Sequence, residues 1–115
     1  MSQLTIHVLD TAAGIPAAGM RYCLYRVGHD SALASGTTRA DGRADAPLLA
    51  GADFRTGVYE LHFDVDAYFR TRGVDLPQPP FLDTVTLRFG VADPGAHYHI
   101  PLLVSPWSYS TYRGS

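Results

Sequence analysis

The chain has 115 residues, which predicts one domain large enough to bury its own core. Hydrophobic residues make up 46%, charged residues 17%, and the net charge is -2, so the composition is globular and excludes a basic surface for nucleic acid. No apolar run approaches the roughly 20 residues of a membrane helix. The first residues do not read as a signal peptide, and Cys23 is the only cysteine, so we expect a disulfide-free protein of the cytoplasm.

Apolar and polar residues alternate along much of the chain, a pattern typical of short antiparallel strands. The first strand has one face formed by Leu4, Ile6 and Val8, and an opposite face that carries Thr5, His7 and Leu9. A second strand is predicted from Met20 to Val27. A loop from Gly28 to Gly36 and a short strand from Thr37 to Ala40 follow. The dipeptide Asp41-Gly42 then predicts a tight turn, which places Arg43 at the start of the next strand.

The second half of the chain contains the clearest strand, from Gly57 to Val65, and the predicted helix. Asp66 to Gly73 has a capping residue at its start and basic residues before a final glycine, which predicts a short helix. Further strands are predicted from Thr84 to Val91, from His97 to Val104 and from Trp107 to Tyr112. Roughly seven or eight short strands with one helix indicate an all-β fold, a two-sheet antiparallel β-sandwich formed as a single domain by residues 1-115.

The strand from His97 to Val104 is apolar on both faces. One face is formed by Tyr98, Ile100, Leu102 and Val104, whereas the other carries Pro101 and Leu103 beside His97 and His99. If the first face fills the sandwich, we expect the second to pack against another subunit. The sequence therefore predicts a site at a subunit interface.

Histidine is the side chain best suited to exchange a proton near neutral pH. His29, in a polar loop, and His62, on the solvent face of a regular strand, are assigned surface roles. His7 lies in the middle of a strand, where a structural role is the alternative to a chemical one. His97 and His99 share a face, so they can converge on one small ligand or serve as metal ligands.

Arg43 follows a fixed turn, where its guanidinium can pair bidentately with a carbonyl or an anionic ring. A solvated turn arginine is the alternative. The chain from Ser108 to Ser115 stays rich in tyrosine where chain ends are normally polar and frayed. We therefore expect contacts that hold this tail in place.

Several motifs then occur together over nearly the whole chain: His7-Val-Leu-Asp-Thr, Gly14-Ile-Pro-Ala, Thr38-Arg-Ala-Asp-Gly-Arg43, Gly57-Val-Tyr-Glu-Leu, His97-Tyr-His-Ile-Pro-Leu-Leu-Val-Ser-Pro106 and Tyr112-Arg-Gly-Ser115. In these motifs the chain resembles the 5-hydroxyisourate hydrolases, the transthyretin-related proteins of urate degradation. The last two motifs are highly specific. One departure is Phe81-Leu-Asp83, where the family usually has an aromatic pair and a proline; it touches the entry to a strand.

The resemblance implies a transthyretin-like sandwich that hydrolyses 5-hydroxyisourate to 2-oxo-4-hydroxy-4-carboxy-5-ureidoimidazoline without a cofactor. It places the catalytic positions at His7, Arg43 and His99. The substrate-binding residues that we expect beside them are His97, Tyr112, Arg113, Gly114 and Ser115. It also implies a homotetramer with sites in the channels between dimers, and no nucleic-acid or membrane partner.

Two other functions stay open. The first is a carrier that holds a small aromatic ligand without chemistry; transthyretin itself lacks these histidines and this tail, which favours the enzyme. The second is a zinc-dependent site on His7, His97 and His99. No cysteine accompanies these histidines and no carboxylate stands at a recognisable ligand spacing, so no metal is predicted. Either His7 or His99 can be the general base.

Overall fold

Two β-sheets face each other in the computed structural model of the protein, which describes residues 2–114. The strands, in chain order, are β1 (Gln3–Asp10), β2 (Ile15–Pro16), β3 (Arg21–Arg26), β4 (Ala32–Thr37), β5 (Leu49–Ala50), β6 (Gly57–Asp64), β7 (Thr84–Val91), β8 (His97–Val104) and β9 (Tyr109–Thr111). Helix α1 (Val65–Thr71) follows β6, and a single 3-10 turn lies at Gly51–Asp53. The predicted two-sheet sandwich with one short helix is confirmed.

The first sheet has the order β2-β1-β8-β9, with β5 also paired to β1, and the second has the order β4-β3-β6-β7. The pair β1 and β8 is parallel, and the other named pairs are antiparallel. The parallel register places Thr5 opposite His99 and His7 opposite Pro101. Residues from the two ends of the chain therefore meet on one face of the first sheet.

The core decides which side chains of β1 and β8 face outward. Along β1, Leu4, Ile6 and Val8 are at most 1% exposed, while the residues between them are only half-buried. Successive side chains of a strand point to opposite faces, and each large apolar side chain that is buried contributes about 1.5–3 kcal/mol. In β8 the inner face is likewise buried, and Pro101 is buried on the outer face as well.

The segment from Gly28 to Ala40 differs from the prediction. The predicted loop is wrong over residues 32–36, which belong to β4 (Ala32–Thr37), and the predicted strand from Thr37 to Ala40 is wrong after its first residue. β4 is an edge strand of mostly exposed residues that pairs with β3, so no apolar alternation marks it. Thr38 ends it: its buried hydroxyl donates to the Ala17 carbonyl at 2.6 Å.

Smaller differences concern element ends. The helix begins at Val65 and ends at Thr71, and the last strand is limited to Tyr109–Thr111. Trp107 lies outside this strand and is 58% exposed, because residues 105–108 form a hydrogen-bonded turn in which the Ser105 N–H donates to the Ser108 carbonyl. In the described part of the chain, no helix has the length and apolar character needed to cross a membrane.

A buried carboxylate joins the helix to the first sheet. Asp10, at the end of β1, is 2% exposed and accepts hydrogen bonds from the backbone N–H groups of Ala12 and Ala13 at 2.9 and 3.0 Å. The Tyr68 hydroxyl of α1 donates to the same carboxylate at 2.8 Å. Burial and this carboxylate raise the pKa of Tyr68 to about 12. Asp10 thus closes the turn after β1 and fixes α1 against it.

We expect Tyr68→Phe to lower the free energy of unfolding by about 1.5–3 kcal/mol, because it removes a buried hydrogen bond to a charged group. Urea unfolding measures this change. Tyr25→Phe is the matched control, since the Tyr25 side chain is only half-buried on the outer face of the second sheet; we expect a loss within about 0.5 kcal/mol there. Equal losses in the two variants would contradict the role given to Asp10.

Candidate active site

A cleft of about 550 Å³ opens on the outer face of the first sheet. Strand β1 contributes Gln3 and Thr5, and β8 contributes His97 and His99. The segment after the predicted turn, from Arg43 to Pro47, forms the opposite wall. The volume lies within the usual range for small-molecule sites.

The turn at Asp41-Gly42 is attached to β1 by its backbone. The Val8 N–H donates to the Gly42 carbonyl at 2.8 Å, and His7 and Arg43 form an isolated antiparallel bridge. Gly42 has φ +79°, and a Cβ at this position would clash with the carbonyl oxygen of Val8. Only glycine meets both conditions without strain. The turn therefore fixes Arg43 beside His7. The strand predicted to start at Arg43 is wrong: Arg43 forms only this isolated bridge, because the segment from Ala44 to Pro47 forms the wall of the cleft, and the next strand, β5, begins at Leu49.

Asp41 organises both neighbours of this turn. Its carbonyl oxygen accepts a hydrogen bond from His7 Nε2–H at 2.9 Å, and since a carbonyl only accepts, the proton of a neutral His7 lies on Nε2. Its carboxylate accepts from Arg39 Nη2 at 2.8 Å and from the Arg43 N–H at 3.0 Å. The Arg39 side chain first, and the Arg43 backbone N–H second, hold the pKa of Asp41 below its usual value.

The two histidines of β8 are joined through a hydroxyl group. Thr5 Oγ1 lies 2.8 Å from His99 Nδ1 and 3.0 Å from His97 Nε2. The His99 ring centroid is 6.5 Å from that of His7 and 6.4 Å from that of His97. The structure therefore brings His7, Arg43, His97 and His99 to one place.

Burial and positive charge both act on His99. Half-burial lowers its pKa, and the Arg43 guanidinium, followed by His7 and His97, lowers it further. A neutral imidazole is favoured because a second positive charge beside Arg43 is costly in a partly dry site. His99 is thus available to accept a proton near neutral pH.

The C-terminal tail runs antiparallel alongside β8, where Gly114 forms an isolated bridge with His99. The Gly114 N–H donates to the His99 carbonyl at 2.6 Å, and a Cβ at this glycine would lie 3.0 Å from His99 Cδ2. Tyr112 and Arg113 lie elsewhere, in a second cleft of about 430 Å³ beside β7 and β9, where the Arg113 guanidinium stacks 4.1 Å from the Tyr98 ring centroid. Their substrate-binding role stays a prediction, and Ser115 lies outside the described residues.

Thr5 and Asp41 were missing from the residues predicted for the site. Thr5 was placed on the same face as His7, so its position was available, but its partner in β8 was not. The sequence predicts Asp41 only as a turn residue, whereas in the structure its carbonyl oxygen also accepts from His7 and its carboxylate from the Arg43 N–H. Among residues 2–114, no group of three or more His, Cys, Asp or Glu side chains is arranged to hold a metal ion.

Known proteins share the fold and much of the sequence of this chain. A family model described as the HIUase/Transthyretin family matches residues 4–114. A 5-hydroxyisourate hydrolase of Ralstonia nicotianae is 58% identical, with 100% of each chain covered. The crystal structure of an (S)-allantoin synthase has a TM-score of 0.93 at 47% identity and covers 98% of this chain, which spans 43% of that one. The chain belongs to the HIUase/Transthyretin family.

A carrier structure is also among the similar proteins. Sea bream transthyretin, solved in complex with thyroxine, has a TM-score of 0.85 at 29% identity, with 97% of this chain and 94% of that chain covered. The fold by itself is therefore shared with a ligand-binding protein. Function has to be argued from the cleft and its side chains.

We expect Gly42→Ala to lower the free energy of unfolding more than Gly19→Ala does, and to shift the NMR signals of His7 and Arg43. Gly19 has φ +83°, close to that of Gly42, but its added Cβ would meet nothing within 4 Å. Both variants lose about 1 kcal/mol from backbone strain. Only Gly42→Ala adds a clash with β1, so denaturant unfolding and amide spectra that match between the two would contradict the close approach.

Proposed function

We propose that the protein hydrolyses 5-hydroxyisourate to 2-oxo-4-hydroxy-4-carboxy-5-ureidoimidazoline, without a cofactor. The observation that carries the proposal is that three distant segments bring His7, Arg43 and His99 together. Arg43 and His99 line one cleft, and His7 is bridged to Arg43 with its ring centroid 6.5 Å from that of His99. The name of the Ralstonia relative supports the same substrate. A cleft of about 550 Å³ accommodates one bicyclic substrate together with water.

His99 acts as the general base in this proposal. Its neutral imidazole takes a proton from the water that attacks a ring carbonyl, a C–O bond forms, and the ring C–N bond then breaks as the nitrogen leaving group regains a proton. General-base assistance of this kind contributes about 10²–10⁴ in rate. His7, whose Nε2–H is held by Asp41, orients the substrate or the returning proton.

Arg43 performs two tasks in the same place. Its guanidinium binds substrate carbonyls bidentately and offsets the negative charge that develops on oxygen. Burial is the largest cause of the lowered pKa of His99, and the same positive charge of Arg43 lowers this pKa further, which favours the neutral base. A lysine at this position keeps the charge but loses the planar pair of donors.

We propose that the tail closes the cleft, with Gly114 against His99 and Ser115 offering its hydroxyl to substrate or water. Tyr112 and Arg113 anchor this tail. We further propose a homotetramer with sites between dimers, because the outer face of β8 carries the apolar, only half-buried Leu103 on the same face as the histidines. That the protein acts in the cytoplasm stays a prediction.

The decisive experiment generates 5-hydroxyisourate freshly with urate oxidase and follows its ultraviolet absorbance with and without the protein. We expect decay faster than the spontaneous reaction, in proportion to protein concentration. A carrier, the alternative that the similarity to sea bream transthyretin supports, would retain ligand while the absorbance decays at the spontaneous rate. That result would overturn the hydrolase proposal.

We expect His99→Ala and Arg43→Lys each to lower kcat/KM at least about tenfold, since each removes a group that acts in the transition state. Circular dichroism and thermal unfolding should match those of the wild type, because both side chains lie outside the core. His29→Ala, an exposed loop histidine, is the matched control and should retain full activity. Wild-type rates in both site variants would refute the assignment.

The pH profile separates the two tasks of Arg43. Because the pKa of His99 is lowered, the neutral base persists to more acidic pH, and the acid limb of kcat/KM should lie below the ordinary histidine value of about 6.5. Arg43→Gln removes the positive charge and should move this limb to higher pH, whereas Arg43→Lys should leave it in place. An unmoved limb in Arg43→Gln would show that Arg43 does not act on the base.

A further inference from the structure

Thr5 occupies a position between two imidazoles that the proposed reaction has not yet used. It lies directly opposite His99 in the parallel register, and Gln3 lies opposite His97. Its hydroxyl oxygen is within hydrogen-bond distance of one nitrogen of each ring, at 2.8 Å for His99 Nδ1 and 3.0 Å for His97 Nε2. All three side chains are half-buried, so water competes only partly for these contacts.

A hydroxyl group has one proton to donate and two lone pairs with which to accept. If Thr5 donates to His99 Nδ1, then His99 carries its own proton on Nε2 and has no free nitrogen to act as a base. If His99 Nδ1–H donates to Thr5 instead, its Nε2 is unprotonated. Both contacts can be satisfied in either case, because His97 Nε2–H can donate to Thr5 in the first and His97 Nε2 can accept from Thr5 in the second. Only the second case leaves His99 Nε2 free to act as the base.

We infer that Thr5 is a positioning residue that accepts the hydrogen bond of His99 Nδ1–H and donates its own proton to His97 Nε2, which holds His99 in the tautomer whose Nε2 is the base. The inference rests on the proposed role of His99. When the attacking water loses its proton, that proton binds His99 Nε2, and the Nδ1–H bond to Thr5 stays in place. His97 Nε2 is then the last acceptor in this row of hydrogen bonds.

A neutral partner suits this site better than a carboxylate would. A carboxylate on Nδ1 would orient the ring equally well, but its charge would favour the protonated imidazole. The hydroxyl fixes the tautomer without adding charge, so the effect of Arg43 on His99 is preserved. Threonine also has few side-chain rotamers in a strand, which keeps its hydroxyl between the two rings.

The test compares three single variants. Thr5→Val keeps the shape and removes the hydroxyl; Thr5→Ser keeps the hydroxyl; Thr84→Val is the control, an exposed threonine at the start of β7 in the other sheet. Each is measured by steady-state kinetics with freshly generated 5-hydroxyisourate. The tautomer of His99 is read from its ¹⁵N resonances in histidine-labelled protein, assigned with His99→Ala, and this reading does not depend on activity.

We expect the wild type to show His99 protonated on Nδ1. Thr5→Val should shift His99 toward the Nε2–H tautomer and lower kcat at least about tenfold with a smaller change in KM, as for loss of general-base assistance. Thr5→Ser keeps the hydroxyl, so its kcat should stay within about threefold of the wild type and His99 should stay protonated on Nδ1. Thr84→Val should change neither the kinetics nor the His99 spectrum.

Several results would overturn the inference. These are a wild-type His99 that carries its proton on Nε2, a Thr5→Val protein with unchanged kcat, and a fall in kcat without a change of tautomer. If the wild type did not hydrolyse the substrate at all, the proposed function would fail. The ¹⁵N spectra of wild type and Thr5→Val would still decide whether Thr5 sets the tautomer.

Discussion

The parallel pairing of β1 with β8 is the constraint on which the site depends. It joins the first and the penultimate strands of the chain and sets the register in which Thr5 faces His99. Because side chains alternate between the two faces of a strand, a slip of one residue would turn these polar groups into the core. The buried residues Leu4, Ile6 and Val8 of β1 prevent such a slip, since they would have to leave the sandwich. Core burial therefore fixes the geometry of the outer face.

The turn at Asp41-Gly42 extends this constraint to the third component. It is bound to β1 through the Val8 N–H, so any movement of β1 moves Arg43 with it. Arg43 is exposed, whereas His99 is half-buried. The proposed reaction gives these two residues different roles. The proposed reaction needs a cation where negative charge develops and an uncharged base beside it. Placing the cation close to the proposed base satisfies both demands, because burial lowers the pKa of His99 and the charge of Arg43 lowers it further.

The sequence predicted the parts of the fold in which local pattern and burial agree. β6 and β8 were found at almost the observed bounds, because each strand carries its own apolar face. β4 was missed because it is held by pairing with β3 and buries little. His7, Arg43 and His99 were selected through a family resemblance, yet no local pattern shows that β1 and β8 are neighbours. Thr5 went unnoticed for the same reason, since one threonine hydroxyl has no meaning until both of its partners are known.

Half-burial explains why this chemistry is compatible with the fold. A fully buried imidazole would be neutral, but water would not reach it; a fully exposed one would lose the effect of Arg43 to solvent screening. On the outer face of the first sheet, His99 is shielded by its neighbours while the cleft stays open. The polar groups also satisfy one another, and within residues 2–114 no buried side-chain nitrogen or oxygen atom lacks a hydrogen-bond partner. Since these side chains contribute little to the core, the same sandwich can carry a catalytic face or a ligand-binding face without changing how it folds.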